Sequence, residues 1–371
     1  MKGRGVEMRR LGISIYPEHA SLEENRKYIE TAAKYGYKRI FTCLLSVEGN
    51  KETVVSEFKD LIALANSFGM EVILDVSPVV FTDLGISYDD LSFFHEIGAA
   101  GIRLDMGFTG MEESFMTFNP YDLKIEINIS MGTRYIENII AYDPKRSNLI
   151  GCHNFYPHRY TGLSLEHFER TSRQYRENGI RTAAFINSPS ATFGPWPVSE
   201  GLCTLEMHRD MDMAAQAKHL FATGLVDDVI IANAFATEEE LKTISAIDKD
   251  MLTLEVELLE GTSETERKIV LEESHFNRGD VSDYVIRSTM SRIKFAGQPF
   301  PPHDTEEIRK GDILIDSDLY SRYAGELMVA RLPMKNTGKT SIVGRISEQE
   351  IFLLDLVQPW QKFRFVEKKK P

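Results

Sequence analysis

A chain of 371 residues with 42% hydrophobic side chains, 21 Phe and 14 Tyr among them, is larger than one core usually serves and too apolar to be disordered. Its 43 Lys and Arg stand against 56 Asp and Glu, a formal charge of −13 that argues against a general nucleic-acid or anionic-membrane surface and demands a local basic pocket for any anionic substrate. Cys43, Cys152 and Cys203 are odd in number and far apart, which fits a reducing compartment and no disulfide framework.

The chain opens with the basic stretch MKGRGVEMRR, followed by LGISIYPEH. That apolar run is too short for a signal-peptide core or a membrane span, so the expected location is the cytoplasm. From Leu11 to about Asp248, short apolar runs alternate with helical ones. The strand candidates are LGISIY (11–16), RIFTCLL (39–45), EVILDV (71–76), GIRLDM (101–106), KIEINIS (124–130), NLIGCHNF (148–155), RTAAFIN (181–187) and DVIIANA (228–234). Eight strands alternating with helices over about 240 residues predict an α/β fold, a (β/α)₈ TIM barrel.

Punctuation supports the helices between them. Ser21 with Glu24 three positions on is a capping box, and that helix stops at Gly36. Apolar spacing predicts a second helix over 52–68, ending at Gly69, and a shorter third over 89–96. After Asp248 come LTLEVELLEG, DYVIRST, GDILIDSD, ELMVARLPM, IFLLDLVQP and FRFVE, separated by Gly, Pro and Asn, which predicts a smaller all-β domain. The expected division is therefore a catalytic barrel over 1–250 and a β-barrel over 251–371.

Alternate residues of a barrel strand face the interior, and polar residues take the inside. Arg103 and Asp105 then point inward from strand four, Asp75 and Ser77 from strand three, and Glu126, Asn128 and Ser130 from strand five. Strand one carries Ser14, Tyr16 and Glu18 on its inner register. Asp75 and Asp105 lie on neighbouring strands, so their carboxyl groups are expected within ~5–7 Å, a separation suited to shared work on a glycosidic bond. Glu18 and Glu206 are reserves for the acid role. Arg103 and Glu126 suit a structural ion pair plugging the lower barrel equally well.

The strand-six end NLIGCHNFYPHRYTG places His153, Asn154, Tyr156, His158 and Arg159 within seven residues, at the end of the barrel where active sites sit. His153 is equally read as a satisfied core histidine. Strands seven and eight end in Asn187 and Asn233. The long connection over 188–210 offers Ser188, Ser190 and Arg209 for phosphate, and Trp196 as a face for a sugar ring. With His158 and Arg159 these form the expected phosphate site, and Arg159 and Arg209 are as well suited to pairing with acids such as Glu166 or Asp210. No HExxH, Cys-rich or His-x-His pattern is present, so no metal or cofactor is expected.

Taken together, ISIYPEH, LDVSP, RLDMG, HNFYPHRYTGLS, EGLCTLEMHR and VIIANAFAT resemble the bacterial 6-phospho-N-acetylmuramidases over nearly the whole chain. The resemblance implies a cytoplasmic glycoside hydrolase with a TIM barrel and a small cyclophilin-like β-barrel. It implies cleavage of the β-1,4 bond of N-acetylmuramic acid 6-phosphate–N-acetylglucosamine in cell-wall sugar recycling, with that small phosphorylated disaccharide as partner and neither nucleic acid nor membrane. The residues assign Asp75 and Asp105, with Glu18 and Glu206 in reserve, to catalysis. They assign Asn128, His153, Asn154, Tyr156, Asn187, Trp196 and Asn233 to substrate binding. The alternatives are a sugar-phosphate isomerase or epimerase with a metal on Asp105, His153 and Glu206, and a non-catalytic sugar-phosphate binder. The sequence specifies no oligomeric state.

Overall fold

In the computed structural model, residues 9–44, 51–76, 81, 86–104, 106–198 and 200–368 are described. The chain divides between Ile247 and Asp248 into two compact units.

The first unit is a closed barrel of eight parallel strands in sequence order. They are β1 (Arg10–Ile15), β2 (Arg39–Leu44), β3 (Glu71–Val76), β4 (Gly101–Leu104), β5 (Lys124–Asn128), β6 (Leu149–Cys152), β7 (Arg181–Ile186) and β8 (Asp228–Ile231). A helix follows each strand: α1 (Leu22–Lys34), α2 (Lys51–Ser67), α3 (Ser92–Glu96), α4 (Met111–Met116), α5 (Tyr135–Ala141), α6 (Leu165–Glu177), α7 (Met213–Ala222) and α8 (Glu238–Ser245). Parallel pairing of β1 with both β2 and β8 closes the ring. The capping box on Ser21 and Glu24 forms as its spacing predicts, and Gly36 takes φ +79° just beyond the end of α1, a conformation that favours glycine. The outward Ile125, Ile127 and Ile129 pack into the helix layer.

The barrel interior is layered. At the bottom lies Arg39, 1% exposed, whose guanidinium donates to Asp228 Oδ2 at 2.8 Å and to Glu126. Arg10 and Arg181 close on the same Asp228 from β1 and β7. Burial alone would raise the Asp228 carboxyl, but hydrogen bonds and charge from these guanidiniums hold it far below the usual range. The ion pair plugging the lower barrel therefore differs from the expected Arg103–Glu126 pair. Arg103 Nε stands 3.9 Å from Glu126, while Arg39 takes that carboxylate directly. Above it sit Phe41 and Phe185, with ring centroids 5.1 Å apart, and Phe155 packs on both.

The second unit is a seven-stranded mixed sheet, ordered β10-β15-β9-β14-β12-β13-β11. Its strands are β9 (Leu252–Leu258), β10 (His275–Phe276), β11 (Val285–Ser288), β12 (Asp312–Asp316), β13 (Leu327–Ala330), β14 (Thr340–Ile346) and β15 (Lys362–Glu367). The sheet curls into a nearly closed barrel, since Arg278 just beyond β10 donates its N–H to the Arg287 carbonyl of β11 at 3.1 Å. Three local expectations change here. IFLLDLVQP is mostly a 3-10 helix, Glu348–Leu356, because its apolar residues run on without the alternation a strand needs. TSIVGRI forms the unanticipated β14, and α9 (Glu264–Glu272) and α10 (Met290–Lys294) interrupt the strands. The first of these helices carries a capping box, Ser263 with Glu266, that the sequence shows openly.

Candidate active site

At the carboxyl end of the barrel a cleft of about 200 Å³ is lined by Cys43, Asp75, Arg103, Asn154, Phe155, Pro195 and Trp196. Register builds it. Cys43 lies beside Asp75 across β2 and β3, and Asp75 lies beside Arg103 across β3 and β4. Arg103 Nη1 donates to Asp75 Oδ1 at 3.0 Å, and its Nη2 donates to Asn154 Oδ1. Asp75 is 6% exposed and Arg103 3%, so the pair is held in a dry setting where charge acts strongly.

Asn154 is fixed from both sides of its backbone. Its N–H donates to Ser130 Oγ at 2.8 Å, and its carbonyl accepts from Thr204 Oγ1 at 2.8 Å. The long connection after β7 is thereby tied to the turn after β6, and the Tyr156 N–H adds a bond to the Cys203 carbonyl at 2.9 Å. Phe193 and Ala234 exchange backbone hydrogen bonds at 2.8 Å, which anchors the same connection to the end of β8. These ties make a fixed wall that brings Pro195 and the half-exposed Trp196 to the cleft. Tyr16 stands near Cys43 and Asp75, its phenol donating to the Ala232 carbonyl, and burial pushes that phenol well above its ordinary value.

The family models for the N-terminal and C-terminal parts of 6-phospho-N-acetylmuramidase match residues 11–246 and 252–366. The chain belongs to the 6-phospho-N-acetylmuramidase family. Its fold is similar to a crystal structure described as an uncharacterized B. cereus protein, at 47% identity and TM-score 0.90, over 97% of this chain and 99% of that one. A conserved Enterococcus faecalis protein with an unknown function is similar at 26% identity and TM-score 0.71, over 97% of this chain and 96% of that one. The comparison with curated proteins gave no match.

Of the expected site residues, Asp75, Asn154 and Trp196 come together in the cleft. Half-buried Tyr156 stands beside the same Arg103, and burial raises its phenol above the ordinary value. Asn128 occupies the inner register of β5; its Oδ1 accepts the Ser130 N–H at 2.9 Å, and its amide nitrogen donates to no described residue. Asp105 lies outside the described residues. Glu18 sits in an exposed 3-10 turn after β1.

Others are committed elsewhere. His153 faces the helix layer, fully buried against Phe168, with Nδ1 3.2 Å from Ser130 Oγ and Nε2 2.8 Å from Ser172 Oγ. Burial pushes it down to about 3, so it is a neutral core histidine and not a substrate ligand. Glu206 is bonded by Nε and Nη2 of Arg209 and by the Tyr160 and Gly162 N–H groups. The Arg209 bonds outweigh a smaller desolvation effect and hold Glu206 down at about 2, which removes it as a reserve acid. Gly162 is needed there, since a Cβ would stand 2.7 Å from the Glu206 carboxylate.

Arg209 itself is 5% exposed and also donates to the Glu200 and His158 carbonyls, so it braces the loop and is not free for phosphate. Ser188 and Ser190 both donate to Glu240, a carboxylate that would repel a phosphate. Asn187 accepts the Leu202 N–H, and Asn233 binds the backbone of Ser188 and Ala191; both are loop braces. Exposed His158 and part-exposed Arg159 remain at the surface, the latter paired with Asp210 at 2.7 Å.

The isomerase reading needed a metal on Asp105, His153 and Glu206, and the commitments of the last two remove it. Among the described residues no group of three or more His, Cys, Asp or Glu is arranged to hold a metal ion. No helix of the described residues is long and apolar enough to cross a membrane. Sequence reasoning placed Tyr16 and Arg103 on the inner face but gave Tyr16 no role and left Arg103 undecided, and it passed over Cys43, which inner-face parity of β2 finds.

Proposed function

We propose that the chain is a glycosidase that hydrolyses the β-1,4 bond of N-acetylmuramic acid 6-phosphate–N-acetylglucosamine in the cytoplasmic recycling of cell-wall sugars. The observation that carries this reading is the convergence of Asp75, Arg103, Asn154 and Trp196 in one cleft at the carboxyl end of the barrel, in a chain whose two units both match the family. Trp196 offers a flat apolar face for a pyranose ring. The ion pair with Arg103 suits Asp75 to act in its charged form, orienting the substrate's 2-acetamido N–H and countering positive charge at the anomeric carbon. The acetamido oxygen then serves as the attacking group, and no protein nucleophile is required. Asp105, two residues beyond Arg103, is the general acid in this scheme. His158 and Arg159 are the phosphate contacts, Arg159 exchanging Asp210 for the phosphate oxygens. We read the second unit as cyclophilin-like in form.

The test is turnover of the phosphorylated disaccharide, with released N-acetylglucosamine as the product measured. Asp75→Asn is expected to cut kcat by ~10²–10⁴. Losses below about tenfold would remove Asp75 from the chemistry. Stoichiometric binding of the disaccharide without release would make the protein a binder and not an enzyme.

A further inference from the structure

The second unit has its own cavity, of about 350 Å³, on the face of β11, β13 and β12 that carries Val285, Met328 and Leu314. This size lies at the small end of ligand sites and matches an occupant of about one ring. Its lip is aromatic. Tyr284, Tyr320 and Tyr323 are 54%, 37% and 43% exposed, and the last two stand edge to face with centroids 6.5 Å apart.

At one end of the cavity lies Asp316, only 6% exposed. Among the described residues its carboxylate accepts one hydrogen bond, from Thr340 Oγ1 to Oδ1 at 2.8 Å, which leaves Oδ2 unfilled. Burial pushes this carboxyl up to about 6, with the charge of Glu326 adding to the effect. An acceptor with open valence on a cavity wall takes a donor from whatever occupies the cavity. The charges of the lining balance, with Asp316 and Glu326 against Arg287 and Lys335. Arg287 and Arg292 already neutralise Glu326, at 2.6 and 3.0 Å. With Glu326 and Arg287 taken up by that ion pair, the Asp316 carboxylate disfavours a phosphate, Lys335 disfavours an amine, and a purely apolar guest would strand Asp316. A neutral guest with an apolar face, hydroxyl donors and hydroxyl acceptors satisfies every wall.

We propose that the second unit carries a binding pocket of its own for a neutral pyranose sugar. Tyr320 and Tyr323 pack on the ring's C–H face, Asp316 Oδ2 accepts from a hydroxyl or amide N–H, and Lys335 donates to a ring hydroxyl. The pocket stands whether or not the barrel hydrolyses the disaccharide.

The test titrates the full-length protein with N-acetylglucosamine and with N-acetylglucosamine 6-phosphate, following amide hydrogen exchange segment by segment. The neutral sugar is expected to slow exchange over residues 316–326 and 334–340, and the phosphorylated sugar to need at least about tenfold higher concentration. Asp316→Asn keeps the acceptor for Thr340 and turns the free oxygen into a donor; Tyr323→Ala trims an exposed ring. Each is expected to raise the half-saturating concentration at least about fivefold while leaving disaccharide turnover within about twofold. No slowing in these segments up to about 100 mM sugar, equal action of the two sugars, or slowing untouched by both variants would overturn the proposal.

Discussion

Replacing Arg39 by Met tests the account of the barrel interior, because the substitution roughly keeps side-chain length while removing a buried charge. Arg39 donates to Asp228 and Glu126, both 0% exposed. Asp228 keeps Arg10 and Arg181 in the variant. Glu126 does not fare as well, since its next cation, Arg103 Nε, stands at 3.9 Å and already serves Asp75 through Nη1. One buried carboxylate is thus left without a close partner, and breaking a buried pair from one side costs ~3–5 kcal/mol. For a unit of this size that corresponds to a fall in Tm of roughly 6–20 °C. Adding Glu126→Gln removes the orphaned charge, and the double variant should regain at least about half of the loss. Arg39 Nε and Glu126 Oε1 already lack hydrogen bonds among the described residues, so a less charged network sacrifices little. Urea unfolding followed by far-UV circular dichroism measures each difference. A single variant that loses less than about 1 kcal/mol, or a double variant as unstable as the sum of its parts, would refute the reasoning.

Arg159→Ala is expected to lower kcat/KM on the phosphorylated disaccharide roughly tenfold to a hundredfold and to spare residual activity on the unphosphorylated one. Arg209→Ala should instead reduce both alike and lower Tm, because it dismantles the loop brace through Glu206; a loss confined to the phosphorylated substrate would return Arg209 to the phosphate site. His303 lies between Glu266 and Asp304, at 3.0 and 2.9 Å. Burial opposes its charge, but the two carboxylates prevail and raise it above 6.5. Its folded value exceeds the unfolded one, so its stabilisation is complete below about pH 6.5 and is lost as pH rises through the folded value. The Tm gap between the natural chain and His303→Gln should therefore shrink from about pH 6 to about pH 9; a constant gap contradicts the ion pairs. Exhaustive chelation should leave disaccharide turnover unchanged, and activity restored only by added metal would reopen a metal-dependent reading.

The barrel was legible because its signals are local. Eight apolar runs, a capping box at Ser21 and a glycine stop at Gly36 mark strands and helices without any knowledge of pairing. Inner-face parity likewise placed Asp75, Arg103 and Glu126 correctly within their strands. What parity alone does not supply is the stagger between strands, which sets partners across the barrel. Arg39 therefore displaced Arg103 as the principal partner of Glu126, and Arg103 turned upward to Asp75. His153 shows parity left unused: Cys152 and Asn154 face inward, so His153 between them must face the helices. Glu206, Arg209, Ser188 and Ser190 belong to a long connection, where no period relates sequence to direction. Their types suit phosphate, and the fold employs them to pin the loop. In the second unit, β14 escaped because the Gly- and Lys-bearing stretch before it, Lys335 to Lys339, reads as a loop, whereas the capping box of Ser263 and Glu266 was a local signal left unused.

In the proposed function the disaccharide is cleaved in the cleft where Asp75 meets Arg103. A crystal structure of the Asp75→Asn variant with the phosphorylated disaccharide tests it most directly. The 2-acetamido nitrogen is expected within about 3.5 Å of the side chain at position 75, with one pyranose ring against Trp196 and the phosphate beside Arg159. Disaccharide bound with its glycosidic linkage more than about 8 Å from position 75, or seated away from Trp196 and Arg103 altogether, would contradict it.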